Sequence, residues 1–190
     1  VVAVLAPVSA AEIAFTGGSD GTCTDLSVAA NWAGGVLPGA GDTGVVDYST
    51  FSGDGALTVG SDLALGGLSF RNATAALTLS GAGTLSLGAA GLGVKNATAL
   101  SLKLPIVVTA ASTWPFNKGA LNLHSTISGT AKLGISEAGA CCVYAALGYD
   151  GDLTINSQGL RFYAVGKMAK TLKATGASDD NASSYVSPSV

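Results

Sequence analysis

One pattern constrains this chain more than any other. Short stretches in which a leucine, a small polar residue and a second leucine follow one another return along its length. Leu77-Thr78-Leu79, Leu85-Ser86-Leu87 and Leu121-Asn122-Leu123 are the clearest. On a β-strand this spacing puts both leucines on one face and the polar residue on the other. Further short apolar runs recur between them, including Gly44–Tyr48, Ala56–Val59, Leu68–Phe70, Leu100–Leu104, Ile106–Thr109, Lys132–Ile135, Val143–Ala146, Asp152–Ile155 and Leu160–Val165. Each is bounded by Gly, Asn, Asp or Ser, and helical periodicity is nearly absent. Such strands, returning at near-regular intervals, belong to a β-solenoid or a sandwich.

The linkers separate the two. A sandwich needs hairpins with Asn-Gly or Asp-Gly turns. Asp20-Gly21, Asp54-Gly55 and Asp150-Gly151 are available, but most linkers are Gly-Ala-Gly, Asn-Ala-Thr or Gly-Ala-Ala. Small residues of that kind suit the tight corners of stacked coils. Aromatic residues are only 6% of the 190, while 27 are glycine. A narrow interior filled by Leu, Ile and Val leaves few places for large rings. The expectation is an all-β chain forming a single right-handed parallel β-helix over 12–166. An apolar segment, 1–11, precedes it and a polar tail, 167–190, follows it. Leu77, Leu79, Leu85, Leu87, Leu100, Leu102, Leu121, Leu123, Ile135 and Ile155 are expected inside.

Composition excludes several functions. Net charge is -3 with no basic cluster, which argues against nucleic-acid binding. The apolar opening, Val1 to Ala11, falls far short of the roughly 20 residues of a membrane span. Charged residues are 11%, less than half the usual share of about 25%, so there is little from which to build a catalytic site. Val1–Ala11 has two readings. It resembles the end of a secretory signal, with small residues near Val8-Ser9-Ala10, or it is an apolar strand. Both place the protein outside the cell or on its surface. Val1, Val2, Val4, Leu5 and Val8 are β-formers, expected to complete a neighbouring copy by added-strand pairing.

Cys23, Cys141 and Cys142 make an odd number of thiols. Adjacent Cys141 and Cys142 point to opposite faces of a strand. The expectation is at least one disulfide involving these three, either from Cys23 to one of the pair or between copies. Asn72-Ala73-Thr74, Asn96-Ala97-Thr98 and Asn181-Ala182-Ser183 are candidate N-glycan acceptors at corners or in the tail. His124 is the only histidine and lacks partners for a triad or a zinc site. Asp42 with Asp47, and Asp150 with Asp152, are the carboxylate pairs that a glycosidase-like site would use, with Arg71 or Arg161 as partners. Aspartates beside glycine more often shape turns. Trp32 and Trp114 are weighed as sugar platforms and, preferably, as corner packing.

Two stretches carry a family resemblance. The first is Asn31-Trp32, Gly34-Gly35, Pro38 and Gly41-Asp42, preceded by Gly17-Gly18-Ser19-Asp20-Gly21. The second runs from Leu121 through Ile127-Ser128-Gly129, Leu133, Gly139 and Tyr149-Asp150-Gly151 to Gly159-Leu160. Together they resemble the autotransporter-associated β-strand repeat proteins over roughly residues 13–165. Cys23 and Cys141-Cys142 depart from the family pattern. The resemblance implies an exported, passenger-like parallel β-helix. The function expected from all of this is an extracellular structural protein, a self-assembling subunit of a filament, tube or surface layer. Its partners are then copies of itself, with a surface glycan as a further candidate. A cell-surface binding module of adhesin type is the alternative, and a carbohydrate-active β-helix enzyme comes third. No enzymatic activity, cofactor or metal is expected.

Overall fold

The computed structural model describes residues 10–175, apart from Lys118 and Val165. Its strands, in chain order, are β1 (Glu12–Ala14), β2 (Thr43–Asp47), β3 (Ala56–Thr58), β4 (Leu63–Arg71), β5 (Leu77–Ser80), β6 (Leu85–Val94), β7 (Ala99–Leu102) and β8 (Ile106–Val108). They continue as β9 (Ser112–Pro115), β10 (Ala120–Leu123), β11 (Ile127–Ser128), β12 (Leu133–Ala138), β13 (Ala140–Val143), β14 (Asp152–Ser157), β15 (Leu160–Phe162) and β16 (Thr171–Thr175). Every ladder between them is parallel. The sheets run β1-β2-β4-β6-β8-β11, β15-β13-β10-β7-β5-β3 and β16-β14-β12-β9. The chain is therefore a parallel β-solenoid of about 6 turns.

The register explains the leucine pattern. Leu77 pairs with Leu100, Leu100 with Leu121, Leu121 with Cys141 and Cys141 with Leu160. The neighbouring inward column is Leu57, Leu79, Leu102, Leu123, Val143 and Phe162. All ten residues expected inside are buried, none exposing more than 2%. Each such burial contributes roughly 1.5–3 kcal/mol, and slipping a strand by one residue would turn the whole column outward.

Aromatic rings enter the interior more often than the narrow-core argument expects. Phe15, Trp32, Phe51, Phe70, Trp114, Phe116 and Tyr149 are all buried. Glycine makes the room. A Cβ at Gly44 would stand 2.6 Å from the Trp32 ring, and one at Gly91 would stand 2.8 Å from the Trp114 ring. Gly91 also has φ 66, where a side chain is strained. Phe15 meets Trp32 and Phe51 edge-on, with centroids 5.1 and 5.2 Å apart, and so plugs the first coil.

Left-handed residues bend the chain elsewhere: three asparagines follow β4, β6 and β9, and Glu137 lies within β12 at its register shift. Asn72, Asn96, Asn117 and Glu137 have φ of 56, 69, 38 and 61°. Asparagine tolerates this left-handed backbone better than other side chains do. Asn72 also donates from Nδ2 to Asp47 Oδ1 at 2.8 Å.

Two expectations are corrected. The solenoid does not stop at 166: Gly148 and Tyr149 donate backbone hydrogen bonds to Lys167 and Met168, and β16 pairs with β14. Strand pairing thus continues into the stretch read as a polar tail. That stretch conceals its strand because the residues of β16 are mostly exposed. The intrachain disulfide is also not formed, as all three cysteines are free. Asp25, close to Cys23, bridges to β3, and β13 lies four strands further along the same sheet. At about 4.8 Å per strand the separation is about 24 Å, against the 7 Å or so that a bridge spans.

Two substitutions check the architecture. Leu100→Ala leaves a cavity in the middle of an inward column and is expected to cost about 2–5 kcal/mol in urea unfolding. Glu137→Gly relieves the left-handed backbone and is expected to raise stability by about 1 kcal/mol. A loss of stability in the second variant would contradict that geometry.

Candidate functional site

The carboxylates of the first coils are spent on turns. Asp20 Oδ1 accepts from the Thr22 amide at 3.1 Å, Asp47 Oδ1 from the Ser49 amide at 2.9 Å, and Asp54 Oδ1 from the Ala56 amide at 3.0 Å. Asp25 Oδ1 takes the Ser27 amide at 2.8 Å and reaches the next coil through the Gly60 amide at 3.1 Å. Asp42 accepts from the amides of Gly39 and Ala11, both at 3.0 Å. Asp62 accepts from the Thr84 amide at 2.8 Å. The bonds of Asp20, Asp25, Asp47 and Asp54 two residues on, and of Asp42 to Gly39, are the turns aspartate favours, while Asp62–Thr84, Asp25–Gly60 and Asp42–Ala11 join separate coils.

Their protonation follows from these bonds. The Thr22 amide lowers the pKa of Asp20, and the Gly39 and Ala11 amides lower that of Asp42. The Asn72 side chain, followed by Ser49, lowers that of Asp47. Partial burial pushes Asp25 up, but bonds from Ser27 and Gly60 outweigh it and leave it lowered. Glu12 Oε1 accepts from Arg71 at 2.5 Å, and this guanidinium holds its carboxyl low.

Neither carboxylate pair forms an acid–base site. Asp42 and Asp47 serve separate turns. Asp150 is ion-paired with Lys167, and Asp152 is exposed at the start of β14. No group of three or more His, Cys, Asp or Glu is placed to hold a metal among the described residues. One open cleft of ≈ 480 Å³ is lined by Ala89, Ala111, Ser112, Thr113, Lys132 and Gly134. It holds one cation and no carboxylate.

Trp32 and Trp114 are 1% and 0% exposed, which removes them as sugar platforms. Asn31 and Trp32 instead fasten the opening motif. Asn31 Nδ2 donates to the Asp25 carbonyl at 2.9 Å and Trp32 Nε1 to the Leu26 carbonyl at 2.8 Å. Asn72 and Asn96 are exposed at equivalent corners of successive coils, while Asn181 lies outside the described residues. Residues 1–9, including the expected assembly residues Val1, Val2, Val4, Leu5 and Val8, also lie outside them.

An aromatic stack is the surface feature that sequence reasoning missed. The His124 and Tyr144 rings are 4.4 Å apart and 2° from parallel, and Tyr144 and Tyr163 are 4.7 Å apart and 5° from parallel. Tyr144 is 42% exposed and Tyr163 57%. Each follows an inward residue, Leu123, Val143 or Phe162, at the end of β10, β13 or β15. The signal was the alternation itself, because these positions share one outward column once the register is known. Beside it runs the column Ser101, Asn122, Cys142 and Arg161.

Cys141 and Cys142 face opposite ways, as their adjacency requires. Cys141 is buried in the leucine column, and burial pushes its thiol up to about 12. Cys142 is half-buried on the outer face and Cys23 is exposed.

Compared with protein-family models, curated proteins and solved structures, the chain finds no match in any of the three. No helix among the described residues is long and apolar enough to cross a membrane.

Two measurements follow from this chemistry. Alkylation at neutral pH, read by mass spectrometry, is expected to modify Cys23 first and Cys142 more slowly. Cys141 reacts only after denaturation, since thiolate is the reactive form. Equal rates for all three would contradict the burial of Cys141. The lowered carboxylates stabilise the fold above their ordinary values, 3.8 for aspartate, and lose that contribution as pH falls through their lower folded values. The urea midpoint is therefore expected to hold from about pH 7 to 5 and to drop below about pH 4. The drop should be shallower in Asp47→Asn, which keeps the turn acceptor but cannot titrate.

Proposed function

We propose that this protein is an extracellular structural subunit that assembles with copies of itself into a filament, tube or surface layer. The observation that carries this reading is the last coil of the described residues. Among the described residues, β15 and β16 each pair on one side only. The inward residues of that coil, Leu160, Phe162 and Leu172, are only partly buried, whereas their counterparts one coil earlier, Cys141, Val143 and Leu153, are covered. A strand edge with no partner among the described residues and an incompletely covered core is a template for further strands. The resemblance to autotransporter-associated repeats supports display outside the cell, as does a surface rich in Ser, Thr and Gly.

The expected behaviour is growth with protein concentration in sedimentation, and particles with a defined axial repeat in electron micrographs. A monomer at every concentration would refute this reading.

A second reading, a binding module of adhesin type, draws on the His124–Tyr144–Tyr163 stack. Its rings cover one another's faces, with Tyr144 and Tyr163 still 42 and 57% exposed. A ligand would therefore meet the exposed side of Tyr144 and Tyr163 rather than a flat platform. Tyr144→Ala with Tyr163→Ala is expected to abolish binding to cell-surface glycans with the fold intact if this reading holds. Unchanged binding would remove the stack from consideration.

A further inference from the structure

The two ends of the solenoid differ in charge as well as in shape. Residues 1–94 hold seven carboxylates and one cation, Arg71. Residues 95–175 hold eight cations and three carboxylates. Because coils stack in chain order, this sequence asymmetry becomes a separation of charge along the solenoid axis. The first coils carry Glu12, Asp20, Asp25, Asp42, Asp47, Asp54 and Asp62. The last coil carries Arg161, Lys167, Lys170 and Lys173. Among the described residues there are two ion pairs, Arg71 with Glu12 and Lys167 with Asp150. Arg161, Lys170 and Lys173 are exposed and stand outside both.

The strand edges match this polarity. At the first coil, the segment after β1 closes the second sheet: Asp25 bridges to Thr58, and the Leu26 amide donates to the Thr58 carbonyl at 2.8 Å. Among the described residues, β1 itself pairs only with β2 and ends its sheet. Its inward residue, Ile13, is partly buried against the core. At the other end β16, among the described residues, pairs only with β14, and its inward residue, Leu172, is also partly buried. Among the described residues, each end thus offers one parallel edge strand and one incompletely covered aliphatic residue. Val28, Val36 and Leu37, exposed by 42, 60 and 37%, add apolar surface to the segment that closes the first coil.

We infer that the occupant of the last coil is the first coil of a second copy, joined head to tail with β16 beside β1 and the basic end against the acidic end. This rests on the self-assembly reading above and specifies its contact. Like ends would bring the lysines of two last coils together, or the aspartates of two first coils, and like charges in contact are unfavourable. Unlike ends attract, and translation along the axis keeps all strands parallel. The contact uses two different patches, so it does not close on itself and extends into a filament. Hydrogen bonds to Asp20, Asp25, Asp42 and Asp47 favour their charged forms at this end.

The test uses the full chain, with sedimentation and electron microscopy at about 0.1 M and 1 M salt, where the screening length falls from about 10 to 3 Å. Wild-type filaments are expected at the lower salt and their loss at the higher. Arg161→Glu with Lys170→Glu and Lys173→Glu is expected to stay monomeric with an unchanged circular dichroism spectrum. A second variant, Glu12→Gln with Asp20→Asn and Asp42→Asn, keeps the turn acceptors, removes charge at the other end and is expected to weaken assembly as well. Filaments that form equally well in both variants, or whose formation ignores salt, would overturn the head-to-tail contact and leave self-assembly standing. A wild-type monomer under every condition would overturn both.

Discussion

Parallel stacking of coils at strand spacing is the constraint on which the rest of this protein depends. Once Leu100 lies beside Leu77 and Leu121, each coil inherits the register of its neighbour. The backbone ladder and the aliphatic columns are then two views of one arrangement. The ladder satisfies amides and carbonyls that could not be left unpaired in the interior. The columns supply the apolar burial that offsets the entropy of ordering the chain. Neither works alone: a ladder one residue out of step would carry Thr78, Ser101 and Asn122 into the core.

Stacking also dictates what the corners must be. The chain turns sharply several times per coil, within a van der Waals contact of the coil below. A Cβ at Gly81 would come within 2.2 Å of the Val59 carbonyl oxygen, and Gly81 has φ 135. The aspartates of the first coils answer the same demand with hydrogen bonds, holding corner amides that no strand partner reaches. The acidity of this part of the molecule is thus tied to its architecture. The carboxylates that fasten turns concentrate negative charge on the first coils, while the later coils carry lysine and Arg161 on their outer faces. A solenoid lays its sequence out along an axis, so a difference in composition between the two halves becomes a difference between two ends. That link between corner chemistry and axial charge motivates the head-to-tail contact.

The candidate sites divide along the same line. Residues that point inward, Trp32, Trp114 and Cys141, are structural, and their burial removes the sugar-stacking or reactive roles open to such side chains. Residues that point outward in register gain neighbours from other coils. His124, Tyr144 and Tyr163 are 19 or more residues apart in the chain yet form one stack, because each coil returns the strand to the same place. An outward column of this kind is a product of coil length, not of local motif.

By itself the sequence determined the class of fold and the inward residues. The leucine spacing admits only strands, and small linkers admit stacking, so Leu77 through Ile155 could be assigned to the interior from local pattern. It also indicated that Cys141 and Cys142 face opposite ways, since alternation is a property of any strand. Only the tertiary structure decided what depends on the register between coils. Cys23 and Cys141 lie in the same chain, but several strand spacings separate them and no bridge forms. The glycines that admit Trp32 and Trp114 are Gly44 and Gly91, 12 and 23 residues away in the chain, and no local reading pairs them. β16 carries so little apolar residue that only its ladder to β14 identifies it as a strand. In each case the deciding contact joins residues remote in sequence, and the length of a coil sets which ones meet.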